Sequence, residues 1–315
     1  MKRLKILVTG GAGFIGSNVV DAYIREGHDV VVVDNLSSGK KENVHPDAAF
    51  YLMDIRSDDL RKVFDIERPD VVNHHAAQKS VPKSVEDPVF DAELNVVGLL
   101  NVLNQCVAFD VKKVIFISSG GALAGDADVI PTDEEHVSDM ISPYAISKYV
   151  GEKYLHFYAV TYGLTYVSLR YANVYGPRQV AEGESGVVPI FMENFFQNRP
   201  SELYAYADQP RGTTRDYVYV DDVARANVLA LTKGRNVPIN IGTGVEMHIE
   251  DIYRQMQEVL GHDLPLIRKK ERVGDVRRSC LDCTRAKDVL GWEAEVSFKE
   301  GIRRLYRYMS KTNSP

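Results

Sequence analysis

The stretch Lys5-Ile6-Leu7-Val8-Thr9-Gly10-Gly11-Ala12-Gly13-Phe14-Ile15-Gly16-Ser17 decides the fold. Its first four residues read as a strand, its glycines as a tight turn, and Gly16 onward as the start of a helix running to Glu26. Gly10, Gly13 and Gly16 let the backbone turn sharply, approach a pyrophosphate and pack helix on strand. The helix N-terminus then offers free N–H groups and a partial positive charge to phosphates. Asp34 follows the next strand candidate, Asp29–Val33. A carboxylate there can accept both hydroxyls of an adenosine ribose and repels a 2′-phosphate, which favours NAD over NADP.

Outward from this stretch, apolar runs alternate with amphipathic ones. Further strand candidates are Ala49–Leu52, Val71–His74, Val114–Ser118 and Thr165–Arg170, and helix candidates are Ser57–Ile66, Pro88–Phe109 and Tyr144–Tyr162. The rhythm predicts an α/β fold, a Rossmann-like doubly wound parallel sheet with helices on both faces. After Arg170 it changes: Asn173–Ser185 is polar and rich in turn residues, and Val187–Gln197 reads as a helix. Arg215–Asp222 reads as a strand feeding the helix Val223–Thr232, Pro238–Gly244 as strand and turn, and Ile249–Leu260 as an amphipathic helix. The expected division is an NAD-binding domain over 1–172, joined by later segments near 214–243. A smaller interleaved substrate-binding lobe takes most of 173–315, and Lys311–Pro315 reads as a frayed tail.

With 315 residues the chain has room for roughly two domains. A formal net charge of −6 argues against general nucleic-acid binding, so an anionic ligand must meet local cations instead. Candidates are Lys79, Arg178, Arg211, Arg215, Arg272, Arg277 and Arg278. No apolar run approaches the ~20 residues that cross a bilayer. The run after the basic start is too short for a signal peptide, so the expected location is cytoplasmic. Cys280-Leu-Asp-Cys283 has redox spacing, but no nearby Cys or His pair completes a zinc site, and a structural role is expected. His74 and His75 end a buried strand with no third ligand at metal spacing, so they too are read as structural, and no metal is expected.

Tyr144-Ala-Ile-Ser-Lys148 pairs a phenol with an ammonium on one helix face. A Lys beside a Tyr favours the phenolate, which can serve as a base at neutral pH. Upstream, Ile117-Ser118-Ser119-Gly120-Gly121 puts two hydroxyls at a strand end. They read either as part of a Ser/Tyr/Lys proton relay or as a serine turn capping the next segment. Asp54-Ile55 reads either as a cofactor contact or as a plain helix cap.

Thr9–Ser17, Asp34–Gly39, Ser118-Ser119, Tyr144–Lys148, Arg170–Arg178 and Arg215–Asp222, in this order, resemble the extended short-chain dehydrogenase/reductases. Within them the chain looks like the UDP-glucose (UDP-galactose) 4-epimerases, from Ile6 to about Tyr308. The resemblance implies a tightly held NAD, a UDP-sugar bound between the lobes, and a homodimer. The dimer would form through a four-helix bundle of Pro88–Phe109 and Tyr144–Tyr162. Tyr144 would take the proton from the sugar O4 while hydride leaves C4 for the nicotinamide. The 4-keto sugar would turn over and recover the hydride on its other face, with no net redox. Lys148 would bind the nicotinamide ribose and hold Tyr144 ionised.

The cofactor contacts so implied are Gly10, Gly13, Phe14, Ile15, Gly16, Asp34, Asn35, Leu36, Ser38 and Gly39. Asp54, Ile55, Ala76, Ala77, Lys79, Asn95, Ser118, Tyr144, Lys148 and Tyr171 complete them. Substrate contacts implied are Lys79, Ser119, Tyr144, Asn173, Val188, Tyr206, Arg215, Arg272, Asp275 and Ser279.

The chain departs from the family pattern in three places. Gly120 stands where many epimerases carry the catalytic hydroxyl, so that role passes to Ser119, with Ser118 as alternate. Ala124 replaces the usual Tyr, which alters the sugar pocket. Ala205–Thr214 departs from the usual compact glycine-aspartate-glycine turn, which bears on Tyr206 and uracil. A 4,6-dehydratase or a decarboxylase shares the scaffold, but dehydratases carry Asp-Glu where this chain has Gly120-Gly121. Asp34 disfavours an NADP reductase, and a non-catalytic NAD sensor has no use for a Tyr/Lys pair in register with Ser. The small Ser279, beside the sugar 2-substituent in the family, predicts tolerance of UDP-GlcNAc and UDP-GalNAc.

Overall fold

The computed structural model describes residues 2–136, 138–181, 186–271 and 276–312. Its centre is a seven-stranded sheet with every adjacent pair parallel. The strands are β1 (Lys5–Thr9), β2 (Asp29–Asp34), β3 (Ala49–Leu52), β4 (Val71–His74), β5 (Lys113–Ser119), β6 (Thr165–Tyr171) and a late strand, Val237–Ile241. Their order is late strand, β6, β5, β4, β1, β2, β3. Connections leave β1 and β4 toward opposite edges, so a crevice opens between their carboxyl ends, where α/β sheets bind ligands.

Period-two alternation puts every central strand in two cores. Ile6, Val8, Val30 and Val32 face one side, while Leu7, Val31 and Val33 face the other. The first face is covered by α1 (Phe14–Arg25) and the helix Val220–Ala230, with the fully buried Trp292 beside them. The second is covered by α2 (Leu60–Glu67), by a long irregular helix, and by the helix Pro143–Tyr162.

The irregular helix, expected as one regular element over Pro88–Phe109, differs from expectation. After a short α3 (Val81–Glu86), α4 (Pro88–Ala92) widens into a π-helical segment, Glu93–Val97, before α5 (Gly98–Ala108). Next come α6 (Gly120–Ala124) and α7 (Pro143–Tyr162). Ser142 caps α7 through the Ala145 N–H at 3.2 Å, and Pro143 fits the first turn because its missing N–H is not needed there. That cap places Tyr144 and Lys148 in the first two turns.

The second lobe has its own core, from α8 (Val187–Phe196), α10 (Ile249–Leu260) and α11 (Phe298–Thr312). Between α8 and α10 lies α9 (Val220–Ala230), which packs on α1. Short strand pairs complete the lobe. β7 (Asn173–Tyr175) pairs with β10 (Tyr217–Tyr219), β8 (Ser201–Ala205) with β13 (Leu266–Lys270), and β9 (Thr214–Arg215) with β12 (Met247–His248). β11 is the late strand of the main sheet. The tail expected from Lys311 is helical through Thr312, because α11 buries Ile302 and Leu305 and carries its last turn beyond them.

One buried ion pair fixes α7 on the sheet. Arg170 of β6 donates to both oxygens of Glu152 at 2.9 and 2.6 Å, and to the Glu134 carbonyl at 2.9 Å. Truncating one partner leaves the other charged and dry. Arg170→Met is therefore expected to lower unfolding free energy by about 3–5 kcal/mol, read by chemical denaturation. Adding Glu152→Leu should recover part of that loss.

Candidate functional site

The glycine turn lies in the crevice at the β1/β4 junction. Gly10 has φ 70°, and a Cβ there would stand 2.6 Å from the Ala76 N and 2.8 Å from the His75 carbonyl carbon. Only glycine allows this approach. A Cβ at Gly16 would run into the Gly10 carbonyl, whereas one at Gly13 meets only that oxygen at 3.2 Å. Gly13 is the N-cap of α1 with no side-chain cap, so the N–H groups of Phe14, Ile15 and Gly16 lack intrahelical partners. They face the crevice end of the helix as an anion site. Asp34 accepts from the Ala12 and Leu36 N–H groups at 3.0 and 2.8 Å. Gly39 folds against its carboxylate, a Cβ there lying 3.0 Å away, with Ser38 beside it in the same loop. Phosphate donors, an acidic ribose site and a glycine-lined passage fit a dinucleotide such as NAD.

Asn35 and Asp54 close the rim. Asn35 donates to Asp54 at 3.0 Å, and Arg56 binds the same carboxylate and holds its pKa down to about 2. Asp54 accepts from the Arg56 N–H at 2.9 Å in a local turn and caps no helix. The side chain of Ile55 is buried against Gly98, and its carbonyl accepts from Asn101 at 2.7 Å. On the other wall, Ala76 donates to the Thr9 hydroxyl at 3.2 Å, and Ala77 continues the segment toward Lys79. Asn95 brackets Gln78, accepting from its N–H at 2.8 Å and donating to its carbonyl at 3.0 Å. His74 and His75 keep pKa values near 3 because burial, then nearby Lys148, opposes protonation.

Register brings Ser118 beside Arg170 and Ser119 beside Tyr171. Ser119 separates from Ser118 in role. The Ser118 hydroxyl is buried without a partner, whereas Ser119 lines the cleft with Tyr144 and caps α6, accepting from the Ala122 N–H at 3.4 Å. Lys148 does not reach the Tyr144 phenol. Its ammonium donates to the Ile117 carbonyl at 2.9 Å and sits 5.8 Å from the centre of the Tyr144 ring. The expected ionisation of Tyr144 accordingly runs against its surroundings. Burial of its hydroxyl end pushes the phenol up to about 12, and the Ser119 hydroxyl only eases this. Burial also lowers Lys148 to about 8, against the pull of Asp91 and Glu152.

A cleft of about 1150 Å³ opens beside the Tyr144/Ser119 pair and runs between the lobes. Lys79, Tyr171, Asn173, Arg215 and Ser279 line it as expected. Arg215 donates to the Thr214 carbonyl at 2.7 Å. The Tyr171 hydroxyl instead turns inward and accepts from Asn227 at 2.7 Å. Two expected substrate residues stand elsewhere. The Val188 side chain is packed in the second core, and its neighbours Val187 and Ile190 line the cleft. Tyr206 lies under the Arg277 guanidinium at 4.1 Å, and Tyr204 takes the place on the wall. Arg272 and Asp275 lie outside the described residues. Arg199, on the wall as well, has no distinguishing motif around it, and neither does the buried Asp91 under α7.

The departures also find their places. A Cβ at Gly120 would strike the Leu281 side chain, so a larger residue there requires Leu281 to shift. A Cβ at Gly121 would lie 3.3 Å from the Ser279 hydroxyl. Ala124 is buried, and no bulky group closes the cleft there.

Residues 6–242 match the model of the NAD dependent epimerase/dehydratase family. Among solved structures, a UDP-glucose 4-epimerase from Thermotoga maritima with UDP-glucose is 48% identical, with TM-score 0.95, covering 99% of this chain and 100% of its own. A Thermus thermophilus UDP-glucose 4-epimerase in complex with NAD is 42% identical, with TM-score 0.92 and coverage of 98% and 99%. A UDP-N-acetylglucosamine 4-epimerase from Methanobrevibacter ruminantium, in complex with UDP-N-acetylmuramic acid, is 34% identical, with TM-score 0.92 and coverage of 99% and 100%.

The glycines give a test that separates cradle from packing. Gly13→Ala should keep the melting temperature and lose NAD, because its new methyl meets little protein. Gly16→Ala should lose both, because its methyl collides with backbone. Bound dinucleotide measured on the purified protein, beside a thermal melt, distinguishes the two.

Proposed function

The chain belongs to the NAD dependent epimerase/dehydratase family, and from that premise we propose that it is a nucleotide-sugar 4-epimerase interconverting UDP-glucose and UDP-galactose. The observation that carries this reading is the meeting of Ser119 and Tyr144 on the wall of the interlobe cleft, beside the cofactor crevice. In that position the phenol reaches a sugar hydroxyl at C4 and exchanges its proton, with Ser119 sharing the hydrogen bond. Bound NAD supplies the hydride acceptor and then the donor, so the reaction carries no net redox change.

Each remaining group has a physical task. Lys148 holds the nicotinamide ribose and places positive charge near the phenol, which favours loss of its proton once the site is filled. Gly10, Gly13, Gly16 and Asp34 hold the dinucleotide, and Arg215, Asn173 and Lys79 meet the substrate diphosphate. We assign Arg272 and Asp275 to uridine and diphosphate from the family resemblance alone. The bare Gly120-Gly121 wall leaves no acid/base pair for a dehydratase, which keeps the chemistry at C4. We further propose 1–172 with 214–243 as the cofactor domain and the rest as mainly substrate lobe.

A homodimer and a cytoplasmic location belong to the same proposal. Exposed Phe90, Val97, Ile146, Phe157 and Val160 stud the outer face of α4, the π segment and α7, which suits a helical interface between two copies. No helix among the described residues is long and apolar enough to cross a membrane.

Purified protein given UDP-galactose without added NAD should yield UDP-glucose and approach the same mixture from either sugar. Tyr144→Phe should lose at least ~10³-fold in turnover while keeping its bound NAD. Absence of any conversion with NAD supplied would remove the assignment. Ser279, small and set against Gly121, should also admit an N-acetyl group. UDP-GlcNAc and UDP-GalNAc should interconvert, and Ser279→Tyr should suppress that activity at least ~10-fold more than the plain hexose activity.

A further inference from the structure

Asp91 is fully buried, yet among the described residues no cation pairs with it directly. Its Oδ1 accepts from Gln78 Nε2 at 2.9 Å and Asn95 Nδ2 at 3.0 Å, and its Oδ2 accepts from the Ser147 hydroxyl at 2.6 Å. All three donors are neutral. An asparagine would satisfy the same groups, because the Ser147 hydroxyl can accept as readily as it donates. A dry carboxylate is costly where an amide would serve, so its charge needs a reason.

We infer that Asp91 is a positioning residue for Tyr144 and Lys148, which orders the chain around the pair and supplies the negative charge that keeps Lys148 protonated. This rests on the epimerase reading above. Ser147 lies between the pair on α7, Gln78 belongs to the loop carrying Ala76, Ala77 and Lys79, and Asn95 sits on the π segment. One carboxylate thus ties the cofactor loop to the catalytic helix. π-Helical segments of this kind are frequent at functional sites.

The groups around Lys148 leave Asp91 as its counter-charge. Glu152, one turn along α7, is already held by the Arg170 fork from β6. His74 at the end of β4 and His75 after it are held neutral by burial, and β5 offers the Ile117 carbonyl and the face of the Phe116 ring, 5.2 Å from the ammonium, neither of them a charge. Asp91 raises the pKa of both Lys148 and Tyr144. Removing its charge should therefore lower both. A bell-shaped rate profile bounded by the Tyr144 and Lys148 titrations should then move to lower pH on both limbs.

The test is the pH profile of UDP-galactose conversion for Asp91→Asn and Asp91→Ser, with melting curves beside wild type. Both limbs are expected to move acidward by about one unit. Ser147→Ala, which keeps the charge, should leave the limbs in place. NAD binding to the stripped protein gives a reading independent of turnover: affinity should fall with rising pH, and at lower pH in Asp91→Asn. A wild type that converts no UDP-sugar would remove the epimerase reading and leave this second measurement standing. Limbs and NAD affinity unmoved in Asp91→Asn overturn the inference. So does an equal shift in Ser147→Ala, or loss of cooperative melting in both charge-free variants.

Discussion

The site depends on one constraint: α7 must lie in a fixed register across the carboxyl ends of β5 and β6. Three buried polar ties set that register. Glu152 meets Arg170, Lys148 meets the Ile117 carbonyl, and Ser147 meets Asp91. Apolar packing alone would not choose it, since Leu155 and Tyr158 slide in a core of similar side chains at little cost. Hydrogen bonds to fixed backbone atoms do choose, because a shift of one residue leaves charges dry and unmatched. The stability that such groups give up in desolvation is returned as definition of geometry.

Burial also sets the proton affinity of the Tyr144 phenol. Low-dielectric surroundings penalise the phenolate of Tyr144 more than a distant ammonium can offset. The Ser119 hydroxyl eases that penalty, while the Lys148 ammonium is turned to the Ile117 carbonyl.

Much of the first lobe was legible because its signals are local. Ala49–Leu52, Val71–His74 and Ile249–Leu260 were read to the residue, since each carries a clean period bounded by turn or cap residues. Helical spacing put Tyr144 and Lys148 on one face but not which atom Lys148 reaches; that depends on β5, whose carbonyl lies nearer than the phenol. Strand pairs such as β8 with β13 have no local signal, as their partners are far apart in sequence and the strands are short. This also misplaced Tyr206, because the changed turn after β8 sets which tyrosine faces the cleft. Asp91 and the π segment were invisible for another reason. A buried polar residue looks, in sequence, like a solvated one.

The sugar-side wall is made by residues that meet late in the chain's own history. Leu281 covers Gly120, the Arg277 N–H binds Asp126 across 151 residues, and Thr132 and Cys280 join by backbone. The seventh strand, from Val237–Ile241, likewise reaches the sheet only after most of the chain exists. During synthesis, then, the glycine cradle and the Tyr144 helix can form while the wall beside them is still within the ribosome. A nascent chain at that stage holds a nucleotide pocket with one side open. A product cut short before that wall would also lack Trp292, which is buried on the α1 face of the sheet, so losing the wall leaves the first core incomplete as well.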